Sequence, residues 1–159
     1  MAIRTGIGLD AHRFAPDRRL VLGGVTIDFP RGLQGHSDAD VLTHAIMDAL
    51  LGAVAAGDIG CLFPDTDPAW KDADSLDLLT RTAAVVRQRA AIVHIDATIM
   101  AEEPRLRPHI GAMRRRLADT LGLDADDVSV KATTLEKMGA LGRKEGMSAL
   151  AIATVETRE

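Results

Sequence analysis

Residues 3–12 read I-R-T-G-I-G-L-D-A-H, and the period of two in this stretch decides the fold class. Ile7 and Leu9 fall on one face, while Gly6, Gly8, Asp10 and His12 fall on the other. That is the pattern of a half-buried strand whose polar face ends in two potential metal ligands. Downstream, Leu20 to Leu22 and Val25 to Phe29 flank Gly23-Gly24, a dipeptide that adopts the positive φ angles of a tight hairpin turn. Ser37 or Asp38 is then placed to cap a helix from Val41 to Ala56, ended by Gly57, with His44 inside it.

A second helix is expected from Ser75 to Arg89, with Leu76, Leu79, Ala83 and Val86 on one buried stripe, after a long loop from Gly57 to Asp74. Val93, Ile95, Ala97 and Ile99 alternate with His94, Asp96 and Thr98 as a strand. Pro108 suits the first turn of a helix to Leu121, with Ile110, Met113, Leu117 and Leu121 inward and Gly122 as its stop. Strands follow from Asp127 to Thr133 and from Met147 to Glu156. The last is apolar on both faces, so it is expected at the centre of a sheet or at a subunit contact. With no internal repeat or linker and a mixed order of elements, residues 1–159 read as one α+β domain.

Composition narrows the function classes. The chain has 159 residues, 47% of them hydrophobic, which is enough for a self-sufficient core. Aromatics make up 3% and the formal net charge is −4, which excludes the stacking platforms and basic faces of nucleic-acid binders. The one basic run, Arg114 to Arg116, is read as a solvated helix face. A single cysteine, Cys61, is read as a small buried hydrophobe compatible with a reducing compartment. No apolar run is long enough to span a bilayer and no signal peptide opens the chain, so no membrane partner and a cytoplasmic location are expected.

Asp10 and His12, two apart on a strand, leave the same face with Cα atoms about 6–7 Å apart, close enough to share an ion. His44 is a candidate third ligand from the next helix, and two histidines with one carboxylate leave a fourth position for substrate. Asp48, one helical turn on, is placed to orient the His44 ring, so Asp48→Asn is expected to weaken metal retention. His36-Ser37 precedes a helix amino terminus, where free N–H groups favour phosphate. Glu136 at a strand end and the glycine-bounded loop carrying Arg143 could together hold a second hard cation and a phosphate. From spacing alone, a zinc hydrolase, a non-haem iron oxygenase and a non-catalytic nucleotide-binding protein stay open.

Four strings go further: G-L-D-A-H-R-F at Gly8 to Phe14, H-S-D-A-D at His36 to Asp40, G-D-I-G-C-L-F-P-D-T-D-P at Gly57 to Pro68, and K-A-T-T-L-E-K at Lys131 to Lys137. Together they resemble the signature segments of the 2-C-methyl-D-erythritol 2,4-cyclodiphosphate synthase family, over essentially the whole chain. The resemblance implies a homotrimer with active sites between subunits, each subunit pairing a mostly four-stranded mixed sheet with helices and a small hairpin. It implies zinc, or another divalent transition metal, on Asp10, His12 and His44, and magnesium or manganese held by Glu136 on the substrate diphosphate. The implied reaction converts 4-diphosphocytidyl-2-C-methyl-D-erythritol 2-phosphate to the cyclic diphosphate and CMP, in the non-mevalonate route to isoprenoid precursors.

For the remaining site residues, the resemblance implies that His36 and Thr134 support the transition state and that His36 and Ser37 contact phosphate, with Ala11 beside the ligands Asp10 and His12. Asp58, Ile59 and Gly60 would meet the ribose and erythritol portions, and Phe63, Pro64, Asp65, Thr66 and Asp67 would form a mobile loop over the methylerythritol. Ala101, Glu102, Glu103, Pro104, Arg105, Leu106 and Arg107 match the segment that encloses cytosine, with Ala132, Thr133 and Thr134 completing that side and Leu135, Glu136, Ala140 and Arg143 following. Arg105 stands where lysine is frequent, and Leu135 where a third threonine is common. Ala140 and Lys144 replace a phenylalanine and a glycine beside a cavity on the trimer axis that in the family can hold an isoprenoid diphosphate.

Overall fold

The first strand runs past His12, because R-F-A-P continues in extended backbone: β1 spans Ile3–Pro16 in the computed structural model, which describes residues 1–158. Then follow β2 (Leu20–Leu22), β3 (Val25–Ile27), β4 (Arg31–Leu33), α1 (Val41–Ala53), α2 (Ile59–Leu62), α3 (Ser75–Arg87), β5 (Ala90–Met100), α4 (Ile110–Leu121), β6 (Val128–Thr133), α5 (Gly139–Gly142) and β7 (Gly146–Thr157). The main sheet has five strands in the order β4-β1-β7-β5-β6, and β2-β3 form a separate hairpin. The expected four-stranded sheet is therefore corrected to five. Arg31–Leu33, too short and glycine-containing to carry an alternation, pairs with Phe14–Pro16. No helix among the described residues is long and apolar enough to cross a membrane.

β7 is central, antiparallel to both β1 and β5, as its two apolar faces predict. Its inner residues Met147, Ala149, Ala151, Ala153 and Val155 are buried, whereas Leu150 and Ile152 line the outer face with Ile7 and Leu9. β5 departs from the expected face assignment at one residue. A register shift between Ile92 and His94 turns Val93 outward, and Ile95, Ala97 and Ile99 then point inward.

α1 lies along the inner face of β1 at backbone contact. A Cβ added at Gly8 would stand 2.0 Å from the Ala45 carbonyl oxygen, and one at Gly6 would stand 2.0 Å from that of Ala49. The two glycines thus seat the helix on the strand through Ala45, Ala49 and Ala53, one helical turn apart. The cap of α1 is Asp40, not Ser37 or Asp38. Its carboxylate accepts from the Thr43 amide at 3.0 Å and the Thr43 hydroxyl at 2.7 Å, and from the Gly23 and Gly24 amides at 3.0 and 2.8 Å. Asp40 is fully buried, and burial raises its pKa against those hydrogen bonds.

Two outcomes in urea unfolding followed by circular dichroism check this packing. Gly8→Ala should cost about 1–3 kcal/mol or more, because backbone cannot move aside, whereas Gly52→Ala, where the nearest atom to a new Cβ is 3.8 Å away, should stabilise α1 by about 0.5–1 kcal/mol. Asp40→Ala should be the more damaging cap variant, at about 3 kcal/mol or more, since it strands several buried donors at once.

Candidate metal centre and cleft

Asp10 and His12 leave the inner face of β1 toward the start of α1, where His44 enters from the helix. His12 Nε2 lies 2.8 Å from Asp10 Oδ2, His44 Nδ1 lies 3.1 Å from the same oxygen, and the two nitrogens are 3.4 Å apart. Two donors on one tetrahedral zinc stand about 3.4 Å apart, given bonds of about 2.0–2.1 Å. The three donor atoms fit such an ion, and two imidazoles with one carboxylate suit it chemically. Burial works against the Asp10 charge, but hydrogen bonds and charge from His12 and His44 outweigh it and bring its pKa down to about 2. Burial likewise opposes a charge on His44, and the neighbouring Asp10 reverses that and raises its pKa.

The other edge of the His44 ring faces hydroxyls. Nε2 is 3.0 Å from Ser75 Oγ and 3.1 Å from Ser37 Oγ. Asp48 does not orient this ring: its Oδ1 accepts from the Ile59 amide at 2.9 Å and so anchors the start of α2, and burial raises its pKa. Nor is the amino terminus of α1 open to phosphate, since Asp40 occupies it and Val41 and Leu42 are fully buried. His36 and Ser37 instead stand on a loop held from below by Arg18, which donates to the Gly35 carbonyl at 2.9 Å and the Ser37 carbonyl at 2.6 Å.

A cleft of about 430 Å³ opens over the three ligands. It is lined by Asp10, His12, His36, Ser37, His44, Ile59, Gly60, Phe63, Pro64 and Asp65, together with Met47, Trp70 and Leu78, which the sequence does not single out. Trp70 packs edge-on against Phe63, 5.0 Å between ring centres, and His36 Nε2 meets the Asp67 carbonyl at 3.1 Å. Asp58 caps α2 through the Cys61 amide, and Cys61 itself is exposed rather than buried, because Ile59 and Leu62 are the residues of this short helix that pack against the core.

The remaining predicted residues lie elsewhere on the chain. Ala101, Glu102, Pro104, Arg105, Leu106, Arg107, Ala132, Thr133 and Thr134 line a second recess of about 310 Å³. Glu102 Oε1 accepts from the Leu135 and Lys137 amides, both at 3.1 Å, and so pins the turn that carries exposed Glu136 at a φ of 52°. Glu103 turns away to Arg31 at 2.7 Å and Lys144 at 3.2 Å. Ala11 and Ala140 line a third recess, of about 190 Å³, with His12. Two basic residues are already paired, Lys131 with Asp96 and Arg143 with Glu145. Arg114 is not simply solvated either, since it donates to the Val128 and Ala125 carbonyls, both at 2.7 Å.

Comparison with known proteins places the whole chain among relatives of one kind. A protein of Thermosynechococcus vestitus named 2-C-methyl-D-erythritol 2,4-cyclodiphosphate synthase is 54% identical over 158 residues, covering 99% of this chain and 98% of its own. One of that name from Chlorobaculum parvum is 52% identical, covering 98% of this chain and 100% of its own. Among solved structures, the bifunctional IspDF of Campylobacter jejuni superposes with a TM-score of 0.95 at 45% identity, over 99% of this chain and 43% of that one. The IspF of Plasmodium falciparum in complex with CDP gives 0.86 at 28% identity, over 99% of this chain and 98% of that one. The family model of the YgbB family matches residues 3–156, and the chain belongs to that family.

Proposed function

We propose that this chain is a metal-dependent cyclodiphosphate synthase, converting 4-diphosphocytidyl-2-C-methyl-D-erythritol 2-phosphate to 2-C-methyl-D-erythritol 2,4-cyclodiphosphate and CMP in the non-mevalonate isoprenoid route. The observation that carries the reading is the convergence of Asp10, His12 and His44, 2.8–3.4 Å apart, under a cleft in a YgbB-family chain. An oxygen of the 2-phosphate forms a bond to the β-phosphorus, the bond from that phosphorus to the bridging oxygen breaks, and CMP departs with the electron pair. The nucleophile is already an anion, so the obstacle is crowding of negative charge rather than want of a base.

Unit charges 4 Å apart repel by about 4 kcal/mol at an effective dielectric of 20. The chain as a whole does not oppose that, since it is net acidic at −4, and Lys131 and Arg143 already pair with carboxylates. A divalent ion on Asp10, His12 and His44, with magnesium or manganese beside Glu136, would supply the missing positive charge. In this reading His36 and Ser37 contact phosphate, His36 and Thr134 support the transition state, and the Phe63–Asp67 segment covers the methylerythritol. Holding the reacting groups in line can contribute about 7–11 kcal/mol. Zinc is the ion we assign to the histidine site.

We further propose a homotrimer, in which the metal cleft of one subunit meets the Ala101–Arg107 recess of the next, so that cytosine and the reacting phosphates are held by different chains. The outer sheet face supports a subunit contact: Ile7 and Leu9 are 66% and 63% exposed, with Leu150 and Ile152 beside them.

Phosphorus NMR of the purified protein with the cytidine diphosphate substrate and magnesium tests the reaction. Release of CMP with a cyclic diphosphate, lost on chelation and restored by metal, is expected; a linear phosphate would mark a hydrolase, and unchanged substrate with metal present would mark a binding protein. His44→Ala should reduce turnover to background, and near-normal CMP release by a folded His44→Ala trimer would overturn the mechanism. Asp48→Asn, whose Oδ1 can still accept from Ile59, should retain its metal after dialysis.

A further inference from the structure

Ser75 opens α3 and is fully buried, and no part of the reaction described above uses it. Its surroundings fix where its proton goes. Asp38 accepts the Ser75 amide on Oδ2 at 2.9 Å and the Asp40 amide on Oδ1 at 3.1 Å, and Oδ1 also takes the Ser75 hydroxyl. An ionised carboxylate only accepts, so the Ser75 hydroxyl must donate to it. Ser75 Oγ is then left with lone pairs toward His44 Nε2, 3.0 Å away. Ser37 Oγ, 3.1 Å from the same nitrogen, already accepts from the Ala39 amide at 3.3 Å and gives that nitrogen a second acceptor.

We infer that Asp38 and Ser75 are positioning residues: when Nδ1 of His44 serves a metal the ring proton sits on Nε2, and Ser75, held by Asp38, accepts it and fixes the ring with Nδ1 toward Asp10 and His12. Residues that take the far N–H of a metal-bound histidine set its tautomer and ring orientation. Here the relay crosses three elements: the loop before α1, the first residue of α3, and His44 within α1. It ties the seating of α3 to the geometry of the ligand set. The inference rests on the metal-site reading above.

Asp38→Asn is the discriminating variant, because it keeps the shape and inverts the polarity. Both carboxylate oxygens accept a backbone N–H, so the NH₂ of an asparagine faces either the Ser75 or the Asp40 amide donor, and in either orientation the hold on Ser75 is broken. Proton–nitrogen correlation spectra of the zinc-loaded protein should show the His44 Nε2–H as a hydrogen-bonded, slowly exchanging resonance in the wild type, and this protection should be lost in Asp38→Asn. Zinc affinity, read by competition with a chromophoric chelator, should fall about 10- to 100-fold in Asp38→Asn and less in Ser75→Ala, which keeps the Ser37 acceptor.

A His44 Nε2–H that exchanges freely with solvent in the zinc-loaded wild type, which needs no variant to fold, would overturn the inference, as would wild-type zinc affinity in folded Asp38→Asn. If the wild type itself fails to bind zinc, or binds it equally after His44→Ala, the metal-site reading falls first and the two failures are told apart.

Discussion

The backbone contact between β1 and α1 is the constraint on which the rest depends. Two glycines on the inner face of β1 let the carbonyl groups of Ala45 and Ala49 come where a Cβ would otherwise stand. At that approach His44, the neighbour of Ala45, reaches over the strand edge to the carboxylate and imidazole that continue the same face. Any larger residue at Gly6 or Gly8 would lift the helix and open the 3.1 and 3.4 Å separations on which a shared ion relies. The glycine-to-ligand alternation along residues 6–12 is thus one device: two positions that admit the helix, then two that use the admitted histidine.

The amino-terminal end of α1 is held by a buried carboxyl group as well as by packing. Asp40 gathers the Thr43 amide and hydroxyl and the two hairpin glycines, so a single carboxylate joins the helix start to the β2-β3 hairpin. Asp38, two residues earlier, does the same for the Ser75 amide and hydroxyl at the start of α3. The short segment His36 to Asp40 therefore fastens a hairpin and two helices around the mouth of the cleft. Ser37 faces His44 from the same segment. Fold and site are built from the same segment, which is why His36, Ser37, Asp38 and Asp40 are polar although Ser37 and Asp40 are buried.

How far the sequence is legible follows from the range of each interaction. Period-two alternation gave β1 and placed Asp10 and His12 on one side, and 3.6-residue spacing placed Met113, Leu117 and Leu121 inward on α4, because both depend only on local geometry. Which of Ser37, Asp38 and Asp40 caps α1 was not legible. All three are good capping residues, and the choice is made by the Gly23 and Gly24 amides, distant in the chain. Val93 was misplaced because a bulge shifts the face by one residue without changing the composition of the strand. The i to i+4 rule pairs Asp48 with His44, but the His44 ring turns toward β1 and α3, leaving that carboxylate to Ile59. The ligand triad itself was legible only as candidates, since strand spacing brings two together and nothing local brings in the third.

The separation of the metal cleft from the Ala101–Thr134 recess bears on how the reaction can be organised. In one chain the recess is shaped by the turn that Glu102 pins, and the cleft by the segment around Asp38 and Asp40. These are independent supports on different parts of the sheet, so neither has to deform to build the other. If a neighbouring chain closes the gap, as proposed, the relative placement of nucleotide and metal is set by the subunit contact across Ile7, Leu9, Leu150 and Ile152 rather than by any loop. A rigid sheet face is a better ruler than a loop for an in-line displacement, whose rate falls steeply when the reacting atoms are misplaced by even about 1 Å.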